Sequence, residues 1–333
     1  MTQVIILEDT SRYDLGGGQR ITLEAISCFQ SMSSCDVLLY DVGCGQEFKT
    51  KVAEKKIISK HYCLQNTPHF FFKLPSITAD ILRAVNSHGK VYLYPATKKA
   101  LILSIVIKMF SRRSIIIFHQ HSRLGLMFDW LKIFANRVII PGEISDKYNK
   151  KTIVIPNPID ISGLKKKYKQ TDLREFALGF IGNLSIQKGF DKFVESQKAN
   201  TLNSFVAGSG PLEHLVDKNT NYLGYININE KQKFYMDIDI LVFPSIVEET
   251  FSLVCFEALF NFNPVVCFDI GYPAKIVKKY NVGVVAKSFT AKALNDAIQE
   301  CIENIEVLSE NCNKVISDFD SDNYCNDLAE IFN

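Results

Sequence analysis

No uninterrupted apolar run in the 333 residues approaches the ~20 that carry a helix across a bilayer, so no spanning helix is expected. The opening stretch MTQVIILEDTSRYDL lacks the basic start and small-residue cleavage pattern of a secretory signal. Its VIIL run, followed by two acids, reads as a strand. The nine cysteines (Cys28, Cys35, Cys44, Cys63, Cys255, Cys267, Cys301, Cys312 and Cys325) contain no C-x-x-C pair. An odd number without a signal predicts a reducing cytosol, free thiols and no zinc. Low-complexity tracts and repeats of solenoid length are absent too. With 47% hydrophobic and 22% charged residues, the composition excludes disorder as the main state.

What is present divides in two. Residues 1–156 hold 21 Lys and Arg against 12 Asp and Glu, whereas residues 157–333 hold 17 against 24. A basic first half predicts an anionic partner for that half alone, and an anionic membrane surface fits. A nucleic acid does not, because aromatic–basic interleaving and any recognisable nucleic-acid module are missing. Short apolar runs alternate with helix-period segments along the chain: QVIIL, CDVLLY, KKIIS, KVYLYP, SIIIFHQ and RVIIP, then FALGFIG, NSFVAG, NYLGY, DILVFPS, NPVVCFD and GVVA. Strands alternating with helices predict parallel sheets covered on both faces, an α/β class. Two full sets predict two doubly wound domains, residues 1–156 and 157–316, joined near VIPNPID (154–160), where two prolines disfavour helix. In such sheets ligands bind beyond the carboxyl ends of the strands.

Motifs sit at those ends. PSIVEETFSLVCFEALF (244–260) follows the strand DILVF and sets Glu249 and Glu257 eight residues apart, with a helix predicted from Thr250–Ser252. Ionised acids accept hydrogen bonds from hydroxyls, although acids so spaced also occur on plain solvated helices. In FIGNLSIQKGFDKF (180–193), Gly182 ends a strand and Lys188-Gly189 opens a helix. Amides and an ammonium there suit a phosphate, and the Walker spelling is absent. VAGSGPLEHL (206–215) places Gly208 and Gly210 at the next strand end, with a helix predicted from Pro211; an ordinary turn is the bland reading. Gly16, Gly17 and Gly18 follow the first strand, but Ile21 stands where the dinucleotide fingerprint needs its third glycine. SIIIFHQHS ends in His119 and His121, one of which could contact substrate or serve structure. The nucleophile-elbow spelling G-x-S-x-G does not occur.

In this order the motifs resemble those of the family 4 glycosyltransferases of the GT-B fold, from about residue 4 to the end. Gly16–Gly18 looks like the N-terminal glycine loop of that family, and His119 like its strand-closing histidine. VIPNPID resembles "PNG-D" with Pro158 replacing the glycine, IGNLSIQKG resembles "G-R-L-x-x-x-K-G", and EETFSLVCFEA resembles "E-G-F-G-x-x-x-x-E-A". GSGP looks like the next ligand loop. The resemblance implies two Rossmann-like domains facing a cleft: an acceptor-binding one, a nucleotide-sugar-binding one, and a helix over 317–333 returning toward the first.

It also implies a retaining, metal-independent and cofactor-free transfer from a nucleotide-diphosphate sugar, UDP- in preference to GDP-. The acceptor is a glycan, expected to be lipid-linked, in bacterial surface polysaccharide synthesis at the inner membrane face. By the same resemblance Glu249 would hold donor-sugar hydroxyls, Lys188 the diphosphate and Glu257 the ribose. Gly16, Gly17, Gly18, Gly182, Asn183, Gly208, Gly210 and the amides of Thr250, Phe251 and Ser252 would line the donor, Tyr225–Ile226 would border the base, and His119 would take part in catalysis. Asn183 stands where the family has a second phosphate cation, which keeps a non-catalytic subunit as an alternative; within the enzymes, the alternative is a GT-B-like sugar-nucleotide epimerase. KKALILSIVIKMFSRR (98–113) has an apolar body flanked by basic residues. It reads either as a helix buried on its sheet or as a segment inserted into an anionic leaflet.

Overall fold

A computed structural model of the protein describes residues 2–10, 17–32, 35–43, 45–63, 67–86, 91–112, 114–120, 130–142, 151–159, 176–198, 202–319 and 321–332. Two compact units divide the chain, Met1–Pro158 with Asp322–Asn333, and Ile159–Ser321.

The first unit runs β1 (Thr2–Glu8), α1 (Gly17–Ser31), β2 (Cys35–Asp41), α2 (Gln46–Glu54), β3 (Ile58–His61), α3 (Thr67–Asn86), β4 (Val91–Pro95), α4 (Lys98–Phe110), β5 (Ser114–His119), β6 (Arg137–Ile140) and β7 (Thr152–Val154). All its strand pairs are parallel, in the order β3-β2-β1-β4-β5-β6-β7. The VIIL run lies in β1 with Val4, Ile5 and Ile6 wholly buried, because a parallel strand covered on both faces has no side that faces water. The direction of strand order reverses between β1 and β4, the switch point where such sheets open a crevice. α4 starts at Thr97, whose hydroxyl accepts from the Ala100 amide at 3.3 Å. Its Leu101, Leu103 and Ile107 are buried in the core, so the apolar body of 98–113 belongs to the sheet.

The second unit runs β8 (Ala177–Ile181), α5 (Phe190–Gln197), β9 (Asn203–Ala207), β10 (Asn221–Gly224), α6 (Ile228–Asp237), β11 (Ile240–Phe243), α7 (Leu253–Phe260), β12 (Val265–Phe268), α8 (Gly271–Tyr280), β13 (Gly283–Ala286), α9 (Ala291–Glu303) and α10 (Ile305–Asp318). Its parallel sheet is ordered β10-β9-β8-β11-β12-β13, with the switch between β8 and β11. One expected helix is absent: after Gly210 there is only a tight helical turn, Glu213–Leu215. The Leu212 amide donates to the Leu184 carbonyl at 2.9 Å, so the segment is tied to a neighbouring loop instead of starting a helix.

α11 (Ser321–Phe332) ends the chain within the first unit. The Phe332 ring lies 4.7 Å from both Phe29 and Tyr92, and Tyr92 Oη donates to the Phe332 carbonyl at 3.2 Å. This docking brings Cys325 beside Cys28 on α1, Cα to Cα 5.1 Å, and the two form a disulfide across 297 residues. Cys63 is disulfide-bonded as well. The expectation of free thiols throughout is therefore corrected: the resemblance brings the last helix back toward the first domain, but nothing in the sequence pairs Cys325 with Cys28.

Candidate functional site

In the second unit the loops that follow β8, β9, β11 and β12 are locked together by close backbone contacts. Gly189 has φ +69°, and a Cβ there would lie 1.8 Å from the Pro244 carbonyl oxygen. Gly208, at φ +124°, would put a Cβ 1.8 Å from the Gly182 oxygen. Only glycine meets both demands, a left-handed backbone and contact with a neighbouring chain. Amides complete the lattice: Gly182 donates to Ala207 at 3.0 Å, Leu184 to Ser209 at 3.0 Å, Ile246 to Gln187 at 3.1 Å and Tyr272 to Glu249 at 3.0 Å.

This lattice brings Lys188 and Glu249 together, 61 residues apart in sequence, as an ion pair with side chains 34% and 22% exposed. A phosphate-type cation and a hydroxyl-type acceptor thus stand side by side at the β8–β11 switch point. The expected amide cradle at Lys188-Gly189 is corrected, however. The amides of Lys188 and Phe190 donate to the Ser185 carbonyl, and that of Gly189 to Ile186, so the ammonium is what this loop presents. Asn183 is exposed, and its carbonyl accepts from the Ser185 amide at 2.9 Å.

After β11, Thr250 and Phe251 are buried, and the Phe251 ring stacks on Phe256 at 4.0 Å. Helix α7 begins at Leu253, later than the sequence predicts, with Ser252 as its N-cap at φ +71°. A serine held there is strained by roughly 1–3 kcal/mol. Glu257 points from α7 to α6: both carboxylate oxygens accept from Lys231 Nζ, at 2.9 and 2.7 Å, and one also accepts from Tyr235 Oη at 2.7 Å. Burial, then the Glu257 charge, push the Tyr235 phenol well above its ordinary range, so it stays a proton donor. Sequence reasoning missed Lys231; its only signal is a basic residue on an otherwise mixed helix. Tyr225 is highly exposed, while Ile226 packs against the core.

The first unit holds a separate polar cluster at its own strand ends. His119 is buried, and its Nδ1 is hydrogen-bonded to Tyr94 Oη. Glu8, closing β1, accepts from Thr22 Oγ1 at 2.6 Å and the Asp9 amide at 2.9 Å. Burial above all pushes its carboxyl up to about 7. Asp41, closing β2, is also buried, which acts to raise it. Bonds from His61, Gly43 and Thr10 outweigh that and hold it below the ordinary range. Both acids end apolar strands (VIILE, VLLYD), a signal the sequence reading passed over. Gly17 and Gly18 open α1, whereas Gly16 and His121 lie outside the described residues. Among the described residues no group of three His, Cys, Asp or Glu is placed to hold a metal ion.

Residues 164–317 match the family described as "Glycosyl transferases group 1". An uncharacterised 42.6 kDa protein of the cps region of Klebsiella pneumoniae is 37% identical over 90 residues, 25% of this chain and 23% of that protein. The chain thus matches under a quarter of that relative's length. Whole-chain similarity is structural. HepE of Anabaena, solved with UDP, superposes with TM-score 0.82 at 19% identity over 99% of both chains. The lipopolysaccharide outer core galactosyltransferase WaaB follows at 0.73 and 14%, over 99% of this chain and 98% of that one. The family match thus lies within the second unit, and the two parallel-sheet units have the GT-B fold.

Proposed function

We propose that the protein is a retaining hexosyltransferase that takes its sugar from a nucleotide-diphosphate donor, UDP- in preference to GDP-. The acceptor is a lipid-linked glycan in the assembly of a bacterial surface polysaccharide, at the inner membrane face. The Lys188–Glu249 pair carries this reading. Support for the donor comes from HepE, solved with UDP and with UDP-glucose. Support for the pathway comes from the cps-region relative and from WaaB.

In the resting site the ammonium and carboxylate neutralise each other. An arriving diphosphate, with more charge than one carboxylate, draws Lys188 to itself and leaves Glu249 free to accept from sugar hydroxyls. As the bond from the anomeric carbon to the phosphate oxygen breaks, charge grows on the departing diphosphate, and Lys188 opposes it. The acceptor oxygen bonds to the anomeric carbon on the same face, and its proton passes to the leaving phosphate oxygen. No protein nucleophile and no metal is assigned a step. Glu257 holds the ribose and Tyr225 borders the base.

The test is nucleotide-diphosphate release from UDP-sugars with and without a glycolipid acceptor. Acceptor-dependent release is expected, and Lys188→Ala should lower it on the order of 10²-fold or more. Glu249→Ala should impair transfer more than it impairs binding of free UDP. Release independent of acceptor would instead support an epimerase, and donor binding without turnover a non-catalytic subunit.

A further inference from the structure

At the amino-terminal edge of the first-unit sheet, the end of α4 and the turn before β6 expose a set of large apolar side chains: Met109 (77%), Phe110 (71%), Trp130 (47%), Ile133 (49%) and Phe134 (44%). They are held in place from below. Leu131 and Ala135 are buried in the same core cluster as Ile107 of α4, and Lys108 Nζ bonds Asn136 Oδ1 just past the turn. Trp130 and Phe134 pack edge to face, centroids 6.0 Å apart. A soluble surface seldom gathers five such residues without covering them.

Their surroundings are basic. Lys108 lies in the last turn of α4 and Arg112 just beyond it, Arg137 opens β6 and Lys151 precedes β7. Among the described residues no carboxylate pairs with any of these four. Lys151 Nζ donates to the Ile133 and Ala135 carbonyls at 2.9 and 3.0 Å, so it caps the turn that carries the apolar side chains. Burial first, and then repulsion from Lys151, hold the Lys108 ammonium below its ordinary range. Among the described residues the fold has therefore brought positive charges together around exposed aromatics and paired none of them with a carboxylate.

We infer that this edge of the first unit docks on an anionic bilayer, with Met109, Phe110, Trp130, Ile133 and Phe134 entering the headgroup boundary and Lys108, Arg112, Arg137 and Lys151 meeting lipid phosphates. Apolar insertion combined with basic attraction is the chemistry of interfacial anchoring. The inserted residues are the tip of α4 and the turn before β6, while the apolar body of that helix is core. It is the edge away from the carboxyl ends of the strands, so docking leaves those ends open to a glycan reaching up from its lipid. The inference rests on the lipid-linked acceptor proposed above, yet its test uses neither donor nor acceptor, so the two can fail separately.

Trp130 is the single tryptophan of the chain, which makes its emission a direct reporter. The intact protein is mixed with vesicles of phosphatidylcholine alone or with ~30% phosphatidylglycerol, followed by fluorescence and co-sedimentation. The expected result is at least tenfold tighter binding to the anionic vesicles, with a blue shift and quenching by brominated acyl chains. Phe110→Ser with Met109→Ser should lose most of it, and Arg112→Glu with Arg137→Glu should abolish the anionic preference. All four positions are exposed, and an unchanged circular dichroism spectrum checks that the variants are folded. Equal binding to both vesicle types, anionic binding without change at Trp130, or a blue shift that follows protein concentration without lipid (a second copy on this face) would each overturn the inference.

Discussion

The two units share a parallel-sheet design with a reversal of strand order at the centre, yet they finish their strands differently. In the first unit β1 and β2 end in the buried acids Glu8 and Asp41, each satisfied by hydroxyls, amides or an imidazole. In the second, the strand ends are glycines and main chain packed into one another, and the charged groups, Lys188, Glu249, Lys231 and Glu257, sit partly exposed on top. A buried acid whose lone pairs are already used stiffens a scaffold. A half-exposed ion pair can exchange one partner for a ligand at modest cost, since screened pairs are worth about 1 kcal/mol or less. The contrast assigns the exchangeable charge to the second unit.

The contrast is broken most severely at its glycines. Gly189→Ala or Gly208→Ala would drive a Cβ to 1.8 Å from a carbonyl oxygen in a left-handed backbone. The expected cost is about 3 kcal/mol or more, seen as a drop in denaturation midpoint for the second unit together with loss of UDP binding. An alanine accepted at both positions without either change would show that the loop lattice is looser than its distances state.

In the first unit the test is pH. With Glu8 raised from the ordinary 4.5 to about 7, folded and unfolded chains bind this proton alike below pH 4.5. Between 4.5 and 7 the unfolded chain releases it while the folded chain keeps it, so stability falls as pH rises. The full loss, about 3 kcal/mol, is present above 7. Glu8→Gln should flatten that window, so that unfolding by denaturant at pH 5 and pH 8 differs less in the variant by about this amount. Asp41, held low, acts oppositely and only in more acid solution.

Much of this frame was legible in the chain. Every apolar run read as a strand forms one; the central strands, buried on both faces, need no alternation to be seen, while the edge strands β3 and β10 are largely exposed. Helices were harder: α3 carries Pro75, which reads as a breaker, and α8 opens on Gly-Tyr-Pro. The positions of Lys188, Glu249 and Glu257 were legible as motif residues, but their partners were not. Spacing along a strand or helix predicts which face a residue takes, whereas the Lys188–Glu249 and Lys231–Glu257 pairs depend on which loops and helices become neighbours. The Cys28–Cys325 bond was hidden for the same reason.

The smallest expected effect separates a working pair from a decorative one. Lys231–Glu257 has side chains 20% and 22% exposed, and Lys231 reaches both carboxylate oxygens. Lys192–Glu195, on α5, is a 3.3 Å pair with the glutamate 60% exposed. Solvent screens the second, so Lys192→Met should change stability by less than about 0.5 kcal/mol and leave nucleotide binding alone. Lys231→Met leaves Glu257 with Tyr235 as its remaining side-chain donor in a half-buried setting, which should cost about 1 kcal/mol of stability. If Glu257 holds the ribose, the variant should also weaken UDP binding by about fivefold to tenfold, close to the 1.4 kcal/mol of one tenfold step, with Lys231→Arg recovering part of it. Calorimetric titration of UDP into the three variants gives the answer. Equal affinities for the Lys192 and Lys231 methionine variants would mean that Lys231 steadies a helix and has no part in orienting the acid.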